Sequence, residues 1–560
     1  MMDNRPPLRV ALVTHDLKIP VWLADVLSGM QTERHLIVTR AFSLAGDAFR
    51  NSRHGIEASC FRLQETREAF RHRKDAGGGD LSIDARSRYP DAILSEAAGT
   101  QAFEGVDLCI NCGVADPQFK RFCGSAAALS YSFSGTQNDL GLFRSMIHGD
   151  TGLVIEVNFC EGGREIRLEQ ARPALPERPG LRELQRAVHD RAAVVVTKAL
   201  RTLANGQEIP PAQAAAPLPA IPAVDTASLL GFVFRRGVES LKGRLIRLRP
   251  DRYWAVDDFN WFLAYRTKPA DFVSNTNDFC ADGFKLFLPP LDKFYADPFV
   301  IQHQGIDHVF FEDWHYKTNK GVICWMQMGP DGHFSDPELV LAEAHHLSYP
   351  FVFEEAGCIY MIPESAAARS VNLYKAVEFP RRWEKVATLL ENVSAADATL
   401  IKHEGRWWMF AAVGENGSSK NDQLHLYFAD QLTGPWHPHQ ENPVKIDVSS
   451  ARPAGRPYIR NGKLIRPSQD CSVTYGGALT LSEILDLSPE RFVEVEIDKL
   501  SPDWLPFNVA FHTLSSTDSL EIIDGRMTAR GNQRFPAPIQ RASPVAALPA
   551  SGGHLDLITN

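Results

Sequence analysis

Four stretches in the second half of this chain repeat one pattern, and a repeat of about 50 residues constrains the fold more than any other feature of the sequence. Residues 295–314 (YADPFVIQHQGIDHVFFEDW), 348–365 (SYPFVFEEAGCIYMIPES), 396–411 (ADATLIKHEGRWWMFA) and 452–466 (RPAGRPYIRNGKLIR) share it. Each opens on a polar residue or proline, runs through an apolar strand, turns at glycine and returns as a strand. The anchors Asp297, Pro350, Asp397 and Gly455 stand near the openings. A hairpin of this size cannot bury its own apolar face, so the copies must pack against one another. Short strands repeated at this period are blades, and if residues 252–265 pair with 507–526 a fifth blade closes the ring. The expectation is an all-β five-bladed propeller over residues 251–528.

A chain of 560 residues exceeds what one hydrophobic core usually supports, so the ring has company. Residues 1–204 alternate strand and helix signals: 8–14, 35–40, 107–112 and 153–157 read as strands, 20–30 and 181–204 as helices, the last stopped by Asn205-Gly206. That alternation argues for an α/β sheet. Residues 205–250 read as a Pro/Ala linker followed by a basic amphipathic helix, and 529–560 as a flexible tail without periodicity. The fold class is therefore multidomain, an α/β domain followed by a propeller.

Lys and Arg number 59 against 68 Asp and Glu, a net charge of −9, which argues against nucleic acid as a partner. The apolar stretch at 10–13 is too short for a signal-peptide core, and no run is long enough to cross a membrane. Nine scattered cysteines suit reduced thiols, so a cytoplasmic protein is expected. Cys109 and Cys112 lack partners at metal-ligand spacing, and His345-His346 reads as an exposed pair. No metal and no cofactor are expected.

Where the inner strands of a propeller converge, residues at the blade openings share one pocket. Asp297 and Asp397 stand at such openings, Glu364 follows the strand CIYMIP, and Asp470 follows KLIRPSQ. Carboxylates on opposite sides of a sugar are what glycosidic-bond chemistry needs, one protonated as acid and another activating the attacking oxygen. Asp297 is the candidate base or nucleophile, Glu364 the acid, and Asp397 a tuning group. Asp470, Arg452, Arg456 and Trp314 are candidate substrate contacts, and Arg466, Trp407 and Trp408 belong to the same reading. Against it, Asp and Glu at strand ends commonly cap turns, and buried tryptophans commonly pack blades.

ADPF at 296–299, followed by a glycine turn and VFFE, resembles the first blade of the arabinanase- and xylosidase-type glycoside hydrolases. That resemblance implies that Asp297 is a catalytic base. The order of acids here, Asp297 then Glu364 then Asp397, departs from the hydrolase order of base Asp, modulating Asp and acid Glu, so the later roles do not transfer. SYPFVFE, IYMIPES, LYKAVEFPRRW, LHLYFADQLTGPWHPH, ARPAGR and RPSQDCSVTYGGAL resemble the N-terminal domain of plant glucosamine inositolphosphorylceramide transferases, over about residues 250–525. The stretch GLFRSMIHGDTGLVIEV resembles the methionyl-tRNA and sugar N-formyltransferases over about 85–215. In that family an Asn-x-His motif and a later Asp do the chemistry. Here Ser130 and Ser132 stand at the motif and Glu161 near the later acid, which implies that formyl transfer is lost.

In the basic helix, Leu230, Phe234, Val238, Leu241, Leu245 and Leu248 fall on one face, accompanied by Arg and Lys. Such a helix either docks between domains or lies on a membrane, so peripheral membrane contact through 230–249 joins carbohydrate or a sugar nucleotide as an expected partner. The leading reading is a glycosyltransferase or glycoside hydrolase serving polysaccharide or glycolipid assembly. The alternatives are a sugar N-formyltransferase with a carbohydrate-binding propeller and a non-catalytic glycan-binding scaffold.

Overall fold

The computed structural model describes residues 6–15, 17–44, 57, 59–64, 82–96, 103–177, 179–206, 221–247, 261–268, 283–290, 292–415, 418–505, 508–527 and 539–541. Most of the Pro/Ala linker, residues 207–220, and most of the expected tail lie outside them.

The apolar run Leu8–Thr14 is a strand fully buried from Val10 to Val13, inside a seven-stranded sheet. A strand covered on both faces needs a continuous apolar run rather than alternation. The sheet order is Ile93–Glu96, Leu36–Ser43, Leu8–Thr14, Leu108–Asn111, Ala128–Phe133, Ile155–Glu161, Arg164–Ala171. The first five run parallel; Ile155–Glu161 runs antiparallel to them, and Arg164–Ala171 antiparallel to it. Helices α1 (Val21–Thr32), α2 (Leu140–His148) and α3 (Leu181–Ala204) pack on this sheet, α3 burying Leu184, Val188, Val195 and Ala199 at helical spacing.

Helix α4 (Thr226–Arg247) is the basic helix. It rests on the N-terminal core through Leu229 and Phe232, and Arg235 donates to the Ile147 carbonyl at the end of α2 at 2.6 Å. The stripe that spacing marks as apolar turns the other way: Leu230, Phe234 and Val238 are exposed.

Beyond it stands the five-bladed propeller. Four antiparallel sheets begin with inner strands Lys293–His303, Ser348–Glu355, Ala395–His403 and Tyr458–Arg460. The fifth blade joins both ends of the ring: Asn508–Ala510 and Leu514–Ser516 pair with Leu520–Met527, which pairs with Trp261–Thr267 and then Lys285–Leu288. Its outermost strand is Ile539–Arg541, parallel to Lys285–Leu288. These residues fall within the expected flexible tail, 529–560, where IQR follows Pro536 and Pro538 in sequence and supplies a short edge strand. Trp407 and Trp408, 5% and 2% exposed, pack between blades rather than face a sugar.

The α/β domain is clamped to the propeller. Arg191 of α3 holds Asp422 with two bonds of 2.8 Å, the two side chains being 5% and 1% exposed, and Asp422 also accepts from the Ala174 amide at 2.8 Å. Beside them Arg172 exchanges backbone hydrogen bonds with Ile446 and Val448 at 3.0 and 2.9 Å.

Candidate functional site

An inner strand that stayed regular would point alternate side chains into the neighbouring blades. Three inner strands here break register instead, between Ala296 and Phe299, Ser348 and Phe351, and Ala396 and Thr399. Within each bulge one residue takes a left-handed backbone: Asp297 at φ 53°, Tyr349 at 44° and Asp397 at 55°. Side chains rarely adopt that region, and a bulge re-aims the residue that does. The side chains converge. Asp297 Oδ2 accepts from the Tyr349 amide at 3.2 Å, and Tyr349 Oη shares a 3.0 Å hydrogen bond with Thr399 and accepts from the Gly455 amide at 2.7 Å. In the second blade the equivalent of Asp297 is thus Tyr349, one residue before the proline anchor.

Opposite these bulges, on the second strands, stand two more acids at one register position. Glu312 pairs with Ala296 in the first blade and Glu364 with Ser348 in the second; the third has Ala412 there. Glu312 escaped the sequence reading although VFFE carried it, because only the repeat register makes it equivalent to Glu364.

Burial and mutual repulsion hold protons on this cluster. Burial pushes Asp297 up to about 6, with His512 pulling it down and Asp397 and Asp524 pushing it up further. Burial, then the charge of Asp397, pushes Glu364 up to about 7 against Arg452 and Lys420. Glu312 is raised well above the usual carboxylate range by burial, then by Asp297 and Glu364. Asp397 receives one cation and one neutral donor: Arg452 Nε donates to its Oδ2 at 2.6 Å and the Gln469 amide Nε2 to the same oxygen at 2.9 Å. Burial works against the charge of Arg452, but Asp397 more than offsets it and the guanidinium stays charged. Carboxyl groups of unequal proton affinity at one site are what acid–base chemistry requires.

Behind Asp297 the fifth blade places a charged chain. Asp297 Oδ1 accepts from Thr513 Oγ1 at 2.9 Å and lies 3.6 Å from His512 Nε2, whose Nδ1 is 2.5 Å from Asp524 Oδ2. Burial opposes the charge on His512, but Asp524 and Asp297 overcome it and raise its pKa. The imidazole stacks on Trp261 at 4.1 Å. Among the described residues, Asp297, His512 and Asp524 also form a buried group close enough to hold a metal ion, their ligand atoms lying within 4.8 Å of one another. His512, between the strands Asn508–Ala510 and Leu514–Ser516, and Asp524 carried no motif, since this segment was recognisable only as a ring closure.

The remaining candidates divide. Arg452 belongs to the cluster, bridging Asp397 to Asn421 Oδ1 at 2.9 Å and lying over the Tyr475 ring at 5.0 Å. Arg456 turns elsewhere, onto the Val352 carbonyl and the Phe351 ring, and burial lowers it to about 10. Trp314 is half-buried two residues beyond Glu312, one face stacked on Phe294 at 5.6 Å. Asp470 requires correction: it is paired with Lys499 and accepts from the Ser472 amide at 2.8 Å. Strand residues alternate between faces, so it is Gln469, one position earlier, that reaches Asp397. Arg466 shares the face of Asp470 and forms a buried fork with Glu494 at 2.6 and 2.7 Å, which is a structural pair. The His345-His346 pair is half-buried rather than exposed; His346 Nδ1 accepts from the Gly321 amide at 3.0 Å and its Nε2 lies 3.6 Å from Glu312.

Between the two domains opens a cavity of about 1240 Å³. Arg186 and Asp190 of α3 and Phe232 of α4 line one side, Asn421, Cys471 and Tyr475 of the propeller the other. Asn421 and Tyr475 are the contacts of Arg452, so the cavity borders the carboxylate cluster.

The sequence family described as glucosamine inositolphosphorylceramide transferase 1, N-terminal, matches residues 269–503, which takes in the first four blades. The chain is 36% identical over 229 residues to glucosamine inositolphosphorylceramide transferase 1 of Arabidopsis thaliana, covering 40% of this chain and 30% of that protein. It is 36% identical over 212 residues to the protein of the same name from Oryza sativa subsp. japonica, covering 37% and 28%. The match therefore spans less than a third of these curated relatives. Among solved structures, an exo-β-1,3-galactanase from Clostridium thermocellum is similar at 13% identity and a TM-score of 0.31, over 42% of this chain and 59% of that one. A family 117 glycoside hydrolase from Zobellia galactanivorans gives 11% and 0.31, over 48% and 92%.

Proposed function

We propose that the chain is a carbohydrate-active enzyme that makes or breaks a glycosidic bond at the propeller axis. The observation that carries this is the cluster Asp297, Glu312, Glu364 and Asp397, in which burial and neighbouring charges raise the proton affinities of Asp297, Glu312 and Glu364 to different degrees. In this reading Glu364, protonated near neutrality, is the general acid toward the leaving oxygen. Asp297, ionised above about 6, is the base or nucleophile. His512 and Asp524 hold it in place, and Asp397 with Arg452 and Gln469 orients the sugar. Glu312 is a second protonated group against the same substrate. The name of the curated relatives favours transfer to a lipid-linked acceptor over hydrolysis, in glycolipid assembly.

The likeness of the N-terminal domain to formyltransferases is proposed as one of fold. Ser130 and Ser132 lie buried on the strand Ala128–Phe133, and neither offers an imidazole to polarise a formyl carbonyl. The domain then serves as a wall of the cavity.

Turnover of a panel of sugar nucleotides and aryl glycosides tests the assignment, beside Asp297→Asn and Glu364→Gln. Loss in both variants, by about 10²-fold or more, is expected. Turnover unchanged in both would overturn it.

A further inference from the structure

We infer that the outward face of α4 docks on an anionic lipid surface. Leu230, Val233 and Phe234 are 66%, 65% and 72% exposed and adjoin the exposed Val238, while the helix is held to the protein by its other side. The same spacing continues in the sequence through Leu241 and Leu245. No helix among the described residues is long and apolar enough to cross a membrane, and an amphipathic helix of this kind lies in the interface plane instead.

Charge selects the occupant. Arg235 and Arg236 turn inward to the Ile147 and Pro179 carbonyls, but beyond them the sequence to residue 249 carries Lys242, Arg244, Arg247 and Arg249 against the single acid Glu239, in a chain whose net charge is −9. A basic segment beside an apolar stripe complements phosphatidylserine-type headgroups. A second copy of the chain would cover the same apolar area but would bring two sets of these cations together.

The geometry gives the docking a purpose. Phe232, Arg235 and Arg236 of α4 line the cavity that borders Arg452. A bilayer on the outer face would thus lie about one helix diameter, 10 Å, from that cavity. For the identity of the substrate, a lipid-linked sugar, this rests on the proposed function; the docking itself does not.

The test is flotation of the full chain with vesicles of phosphatidylcholine alone and with about one quarter phosphatidylserine. Binding to the mixed vesicles is expected, weakened about tenfold by Phe234→Glu and by raised salt but retained by Phe234→Leu. Turnover of a water-soluble substrate by Phe234→Glu is expected to match the parent, whereas Asp297→Asn is expected to float normally, so the two readings fail separately. No binding to mixed vesicles, or equal binding by Phe234→Glu with its thermal unfolding unchanged, would overturn the proposal. So would a concentration-dependent dimer dissolved by Phe234→Glu, which would assign the face to a second copy.

Discussion

Asp297 and Glu364 carry opposite demands on protonation. If the first must be ionised and the second protonated, kcat/KM rises with pH through about 6 and falls through about 7, a narrow bell to be measured on the free enzyme with a soluble substrate. The same shifts act on stability. Glu364 moves from 4.5 to about 7 on folding, so the folded state binds its proton more tightly. The stability this contributes is present below about 4.5 and is lost as pH climbs through 7. Glu364→Gln should therefore raise stability at pH 8 by on the order of 1–2 kcal/mol while turnover is lost, a gain that denaturant titration at two pH values would read. At this scale the sequence was legible where a residue sits at a repeated opening, as for Asp297 and Asp397. It failed by one position at Asp470, because spacing along a strand does not say which face is inward until its partner strand is fixed.

The bulged inner strand is the element on which the site depends. Backbone packing is tightest just before the fourth blade's inner strand, where that blade meets the fifth: Gly455 has φ 135°, and a Cβ there would sit 2.1 Å from the Leu514 carbonyl oxygen. Gly455→Ala should therefore destabilise the protein by about 3 kcal/mol or more, read as a fall in Tm, since backbone and neighbour must both move. The blades announced themselves through period and aromatic strands, and Leu8–Thr14 and Leu181–Ala204 through run length and helical spacing. Ile539–Arg541 did not, because three residues carry no periodicity and their pairing is decided by a strand far away in sequence. The orientation of α4 was half legible: spacing found the stripe, while the choice of Leu229 and Phe232 as the docking side follows from the shape of α2 and the sheet.

For the molecule as a whole, Arg191 and Asp422 are the charged fastening between the domains. Arg191→Ala would leave Asp422 buried without its cation, a loss of about 3–5 kcal/mol. Differential scanning calorimetry should then show the transition moving down and splitting, as the α/β domain and the propeller unfold apart. A single unshifted transition would mean that the backbone exchange at Arg172 fastens the domains without it.

The fifth blade has a consequence for how such a chain is made. Its strands Trp261–Thr267 and Lys285–Leu288 leave the ribosome before the other four blades, and its inner strands and Ile539–Arg541 leave after them. The apolar segment WFLAYRT must wait, one edge bare, until its partner Leu520–Met527 has been translated. Ring closure thus follows the synthesis of all four other blades, and until then the nascent chain offers chaperones a fixed place to hold.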